Sequence, residues 1–244
     1  MVTECSPDIR TAILERLDGI RTRMETACQS AGRSPQEVTL MAVTKTVPPE
    51  QVNVAVEAGV TLLGENRVQE FLSKRGAYDK RAEVQFIGHL QTNKVKQIVG
   101  QVTLIHSVDS LHLLQEIQKT ANRQEIVQEI LLEVNIGGET SKSGAAPAEM
   151  QMLLQQAMDC PNVRVRGLMT IPPPFAEQSE AEECFGRMQT LWQEMRVAVP
   201  SLDILSMGMS GDYETAIRYG ATLIRLGSAL FGARVYPPKP LGTE

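Results

Sequence analysis

The sequence predicts a single (β/α)8 TIM barrel preceded by an extra helix, and three observations predict it. Eight short runs rich in Val, Ile and Leu recur along 244 residues. A stretch with helical periodicity occupies each gap between them, so each crossover returns the chain in the same direction and the strands pair in parallel. An open doubly wound sheet would want a glycine-rich turn after its first strand, and here that turn is Thr46-Val47-Pro48-Pro49. Eight strand–helix units without that turn point to the closed barrel.

The elements follow in order. Ser6-Pro7-Asp8 reads as a cap with proline in the first helical turn. Ile13, Leu17, Ile20, Met24 and Ala27 then recur at three- and four-residue spacing, which predicts an amphipathic helix over 7–32 packed on the barrel. Strands are predicted at 39–45, 61–65, 84–88, 103–107, 127–135, 163–169, 203–207 and 222–227. Helices are predicted near 49–58, 66–75, 91–99, 110–123, 147–159, 177–198 and 212–219. Residues 235–244 read as a tail, and nothing in 1–244 is long enough for a second domain.

Composition narrows the function classes. A formal charge of −5 argues against nucleic acid or an anionic membrane as the main partner, since phosphate backbones select basic surfaces. The basic clusters Lys74-Arg75 with Lys80-Arg81, and Lys94 with Lys96, read as solvated helix faces. Cys5, Cys28, Cys160 and Cys184 form no CxxC pair, so neither a disulfide scaffold nor structural zinc is expected. Residues 1–10 lack an apolar h-region, and no apolar run approaches the roughly 20 residues that cross a bilayer. A cytoplasmic protein is expected.

In a barrel, chemistry gathers at the carboxyl ends of the strands. The first strand closes on Lys45 after Leu40-Met41-Ala42-Val43-Thr44. Alternation puts Met41, Val43 and Lys45 on one face, and an amine at the end of an apolar wall favours its neutral, nucleophilic form. Such a lysine can form an imine with an aldehyde; the bland alternative is a lysine that caps a strand. The seventh strand runs into Ser206-Met207-Gly208-Met209-Ser210-Gly211-Asp212 and the eighth into Arg225-Leu226-Gly227-Ser228. Small residues, hydroxyls and a helix start at these two places match the usual phosphate site of barrels, although Ser210 could equally be an N-cap with Asp212 in the first turn. Arg225 shares parity with Leu223 and Gly227, so it points into the barrel. It needs an acceptor there, either a core carboxylate such as Glu65 or the ring nitrogen of a bound heterocycle. His89 follows a glycine at the third strand end. His106 and His112 show no partner pattern and read as structural. No HExxH, GxSxG or GxxxxGK[ST] occurs.

A lysine for an aldehyde, a cup for a phosphate and an inward arginine together fit pyridoxal 5′-phosphate (PLP). An arginine at the pyridine nitrogen would hold the ring unprotonated and weaken its electron sink.

The chain resembles the YggS/PROSC-type PLP homeostasis proteins. The resemblance rests on AVTK at 42–45, LLGENRVQE at 62–70, FIGHLQTNK at 86–94, VNIGGETSKSG at 134–144, RGLMTIP at 166–172, SMGMSGDYETAI at 206–217 and IRLGSALFGAR at 224–234. It implies a barrel like the N-terminal domain of alanine racemase and PLP held as an imine on Lys45. It also implies phosphate contacts near Ser210, Gly227 and Ser228, and Arg225 at the pyridine nitrogen. Asn66 and His89 would lie around the ring, with Met169 and Ser206 completing the cofactor site. Lys142 would be a further anion contact at the rim. One departure is visible: Val84-Gln85 stands where the family pattern has an aromatic residue and a histidine.

The enzyme question is separate. In alanine racemase the second acid/base is a tyrosine from a β-rich domain, and this chain stops about ten residues after Arg234. Tyr78, Tyr213, Tyr219 and Tyr236 fall mostly on helical or terminal stretches. Racemisation needs two positioned groups, and an open face would shelter reactive species poorly. The expectation is therefore a monomeric PLP-binding protein of vitamin B6 and amino-acid homeostasis without robust catalysis, whose partners are PLP and PLP-requiring apo-enzymes or a regulatory protein. The alternatives are a weak PLP-dependent amino-acid racemase or decarboxylase, an aldolase-like barrel acting on a sugar phosphate, and a pure interaction protein.

Overall fold

The structure, a computed structural model, describes residues 5–139 and 143–233. A long helix α1 (Pro7–Ser30) leads into β1 (Thr39–Val43), α2 (Pro49–Glu57), β2 (Leu62–Glu65), α3 (Val68–Lys74), β3 (Glu83–Phe86) and β4 (Leu104–Val108). The second half runs α4 (Leu111–Arg123), β5 (Gln128–Glu133), α5 (Met150–Met158), β6 (Val163–Met169) and α6 (Gln178–Ala198). It finishes with β7 (Ile204–Ser206), α7 (Tyr213–Arg218), β8 (Leu223–Leu226) and α8 (Ser228–Phe231). The strands close into a barrel in the order β1 to β8. Every neighbouring pair is parallel, including β1 with β8, where Met41 stands opposite Arg225. The predicted (β/α)8 barrel is observed.

Two local expectations are corrected. The gap between β3 and β4 holds no α-helix but a run of 3₁₀ turns at Thr92–Gln97. The inward spacing of Val95, Ile98 and Val99 is served by either helix type over so short a span, and three-residue bonds such as Lys94 N–H to Gln91 O close it. Strand β1 stops at Val43, two residues before Lys45. Thr44 N–H still reaches Gly64 O at 3.1 Å, but Thr46 then takes φ 63° and turns the chain toward α2.

The main core lies between barrel and helices, where Ile13, Leu17 and Ile20 of α1 join Val52, Phe71, Ile117 and Phe185. Helix α1 packs against α2, α7 and α8, the helices that flank the seam where β8 meets β1. Inside the barrel two smaller apolar groups stand apart. One is Met41, Val43, Ile87 and Leu223, and the other is Leu104, Leu131 and Met169. Also buried inside are the polar Gln85, His106, Ser206 and Arg225. Among the described residues, no helix is long and apolar enough to cross a membrane.

Candidate ligand site at the barrel mouth

At the carboxyl ends of the strands a cavity of about 280 Å³ is lined by Val43, Lys45, Asn66, Ile87, Ile171, Met209, Ser210, Gly211, Arg225, Gly227 and Ser228. That is near the lower end of the roughly 300–1,000 Å³ of ligand clefts, and suits one small molecule. The loops after six strands converge here, so no single segment makes the site. A larger cleft of about 870 Å³ lies alongside, between the Pro172-Pro173-Pro174 segment and α7, and shares Ile171, Met209, Ser210 and Gly211.

Lys45 sits in the turn after β1, and both of its neighbours are clamped. The Thr44 hydroxyl donates to Glu65 Oε1 at 2.7 Å, and Thr44 O accepts from Lys74 Nζ at 3.0 Å. Thr46 N–H donates to Glu70 Oε1, which is also paired with Lys74. Asn66 is pressed against the loop after β3, where a Cβ on Gly88 would come within 2.0 Å of Asn66 O. Only glycine fits such an approach. The Asn66 Oδ1 atom is buried and has no hydrogen-bond partner among the described residues.

On the opposite rim, Asp212 precedes α7 and its Oδ1 accepts from Met209 N–H at 2.6 Å. Ser210 is therefore not the cap of α7; its Oγ accepts instead from Ala229 N–H at 3.1 Å, at the start of α8. Gly208 lets β7 cross close over α7, with φ 93° and space that a Cβ would lose to Ala216 at 2.6 Å. Among the described residues, the backbone N–H groups of Ser210, Gly211 and Ser228 have no partner, and all three residues line the cavity. Unpaired amides grouped in a concavity are what an anion is held by.

Arg225 forms the floor. Its guanidinium donates to Ser206 Oγ at 2.6 Å and Thr170 O at 2.7 Å. Burial lowers its pKa to about 10, with Asp212 and Glu133 opposing the shift, so it stays cationic near neutral pH. Glu65, one of the two partners considered for Arg225, is elsewhere: it faces outward from β2 and accepts from Thr44 and Tyr78, because alternation along β2 puts Gly64 inside and Glu65 outside. Glu133 is buried in the barrel with an unpartnered Oε2. Desolvation, reinforced by Asp109 and opposed by Arg225, raises its pKa to about 7.

The structure thus brings together Lys45, Asn66, Ser210, Arg225, Gly227 and Ser228. It sets three other candidates apart. His89 is exposed and lines a neighbouring cleft with Asp109 and Ser110, its Nδ1 3.4 Å from Ser143 Oγ. Met169 is fully buried against Leu104 and Leu131, and Ser206 is fully buried beneath Arg225. Lys142 and Tyr236 lie outside the described residues. Tyr78 and Tyr213 have their hydroxyls engaged with Glu65 and with Arg23, respectively. His106, read as having no partner, has two: Gln85 Oε1 at 2.7 Å and Ser206 Oγ at 3.3 Å. The alternation in 103–107 could have placed it inside the barrel with Leu104. The unpartnered amides had no signal in the sequence beyond small residues.

Known proteins resemble this chain over most of its length. The alanine racemase N-terminal domain matches residues 16–235. A pyridoxal phosphate homeostasis protein of Aquifex aeolicus is 46% identical over 227 residues, covering 91% of this chain and 98% of the relative. One of Pseudomonas aeruginosa is 40% identical, covering 93% and 97%. Among solved structures, PipY of Synechococcus elongatus with PLP bound superposes with TM-score 0.79 at 33% identity, over 90% of this chain and all of that one. An alanine racemase of Streptomyces coelicolor shares the fold with TM-score 0.67 at 20% identity, and this chain spans 59% of it. The chain belongs to the alanine racemase N-terminal domain family.

Proposed function

We propose that this protein binds PLP in the mouth cavity and serves PLP homeostasis in the cytoplasm without robust catalysis of its own. The observation that carries the reading is the meeting, in one small cavity, of Lys45, three unpartnered amides and a buried arginine. Lys45 is the covalent anchor. The amides of Ser210, Gly211 and Ser228, with Gly227, receive the phosphate, Asn66 offers its unpartnered oxygen beside the ring, and Arg225 faces the ring nitrogen. When bound, the cofactor supplies a reversible electrophile toward amines. Arg225, cationic near neutral pH, favours an unprotonated ring nitrogen and so a weak electron sink. The naming of the relatives as homeostasis proteins and the PLP in PipY support the same reading. No tyrosine lines the cavity among the described residues, which fits a carrier or buffer better than a racemase with two acid/base groups.

The test is the near-visible absorption of protein incubated with PLP, followed by borohydride reduction and peptide mass mapping. The expected result is a coloured protein with the pyridoxyl group on Lys45, and a colourless, folded Lys45→Ala variant. Colour retained in Lys45→Ala would remove Lys45 as anchor, and a wild-type protein that takes up no PLP would overturn the function.

A further inference from the structure

Below Arg225 a continuous line of hydrogen bonds descends through the barrel interior. Arg225 donates to Ser206 Oγ at 2.6 Å, Ser206 Oγ lies 3.3 Å from His106 Nδ1, and His106 Nε2 lies 2.7 Å from Gln85 Oε1. Gln85 Nε2 reaches Glu83 Oε1 at 3.1 Å, and Glu83 Oε1 also accepts from the Thr103 hydroxyl at 2.6 Å. Each end of this line has a fixed role. An arginine can only donate, and a carboxylate can only accept.

These ends decide every proton between them. Glu83 requires the amide nitrogen of Gln85 to face it, so Gln85 presents its oxygen to His106. His106 must then carry its proton on Nε2, which leaves Nδ1 as an acceptor. Ser206 already accepts from Arg225 and has one proton, which goes to Nδ1. The reverse arrangement would set the Gln85 oxygen against the Glu83 carboxylate, two acceptors about 3 Å apart with no hydrogen between them.

We propose that Ser206, His106 and Gln85 are positioning residues that form a one-way relay and hold Arg225 at a fixed aim beneath the ligand cavity, with His106 locked neutral as its Nε2–H tautomer. The proposal rests on the reading that Arg225 faces the ligand. Among the described residues, the charged groups that bear on the relay are Arg225 on β8, Asp212 before α7 and Glu133 on β5, which both act on Arg225, and Glu83 at the far end of β3. Complete burial lowers the pKa of His106 well below its usual value, and the positive charge of Arg225 adds to the effect. Among the described residues, Arg225 is then the cation of this relay across the neutral range.

The test reads the ring nitrogens of His106 by 15N NMR in the full-length protein, free and incubated with PLP, with the signal assigned from His89→Gln and His112→Gln variants. The expected result is one neutral tautomer, proton on Nε2, unchanged between about pH 6 and 8. A proton on Nδ1, a mixture of tautomers or a titration in that window overturns the relay. In Gln85→Leu the tautomers are expected to mix and the PLP dissociation constant to rise about three- to tenfold, with the fold retained. Unchanged tautomer and affinity in a folded Gln85→Leu also overturn the proposal. A protein that takes up no PLP but shows the expected His106 signal keeps the relay and loses the cofactor reading, so the two failures are distinguishable.

Discussion

Glu133 is a carboxyl poorly matched to its surroundings. It is 5% exposed, its Oε2 has no hydrogen-bond partner among the described residues, and its pKa is raised to about 7. A carboxyl whose folded pKa exceeds its unfolded value binds the proton more tightly when folded. Its stabilising contribution is present below the unfolded value near 4.5 and is lost as pH rises through about 7. Glu133→Gln is therefore expected to be more stable than wild type above neutrality, by about 1–3 kcal/mol, with the difference vanishing toward pH ~4. Thermal unfolding of both proteins across that range checks it. An equal difference at every pH would mean that packing and not charge separates them. At this scale the sequence showed which residue types could matter but not their partners. Arg225 was legible as inward from parity alone, whereas its acceptors, Ser206 Oγ and Thr170 O, come from β7 and the end of β6, 19 and 55 residues away. Glu65 looked equally available in the sequence, and only the alternation along β2 turned it outward.

Among the elements, α3 has a function out of proportion to its length. Glu70 and Lys74 stand one helical turn apart on it, paired with each other, and hold the backbone on both sides of Lys45. Thr46 sits at φ 63°, a left-handed conformation that costs a β-branched residue on the order of 1–2 kcal/mol. The clamp is what holds that turn. Lys74→Met removes the bond to Thr44 O and leaves Glu70 without its cation. Its expected effect is weaker PLP binding, by about tenfold for a loss near 1.4 kcal/mol, in a protein of nearly unchanged melting temperature. Titration of the near-visible band with PLP measures this, and an affinity equal to wild type would show that the turn needs no clamp. Spacing along the chain gave a helix near 66–75, and α3 lies within it. The link from that helix to the turn after β1 crosses about thirty residues and was not visible before the chain was folded.

For the molecule as a whole, barrel closure is the step on which the site depends, because the turn after β1 carries Lys45 and β8 carries Arg225, on the two sides of one seam. Pairing β1 with β8 joins the two ends of the sheet, and it forms only after the loop between them, nearly the whole chain, has been closed. Helix α1 packs against α2, α7 and α8 around that seam, with Ile13, Leu17 and Ile20 almost wholly buried. Truncating such a side chain loses both its transfer energy and its contacts with the cavity walls. Leu17→Ala is expected to cost about 2–5 kcal/mol, read by denaturant unfolding, and to lower PLP retention in parallel. A stability loss under about 1 kcal/mol would mean that α1 is not part of the closed core.

The sequence by itself determined the eight-strand parallel architecture, since runs of period two alternating with runs of period 3.6 leave few other ways to bury both faces. It also determined which side chains gather at or just past the strand ends, and through its motifs the kinship with PLP homeostasis proteins. The tertiary structure alone decided what those side chains meet. Lys45 and Arg225 share a cavity because the last strand closes on the first. Ser210 binds the start of α8 and not its own helix because two loops cross at the mouth. Met169 and Ser206 lie too deep in the barrel to line that cavity, and His89 falls outside it. Local periodicity is a property of a few neighbouring residues and can be read along the chain. Partnership across the barrel depends on register and closure, which only the assembled sheet defines.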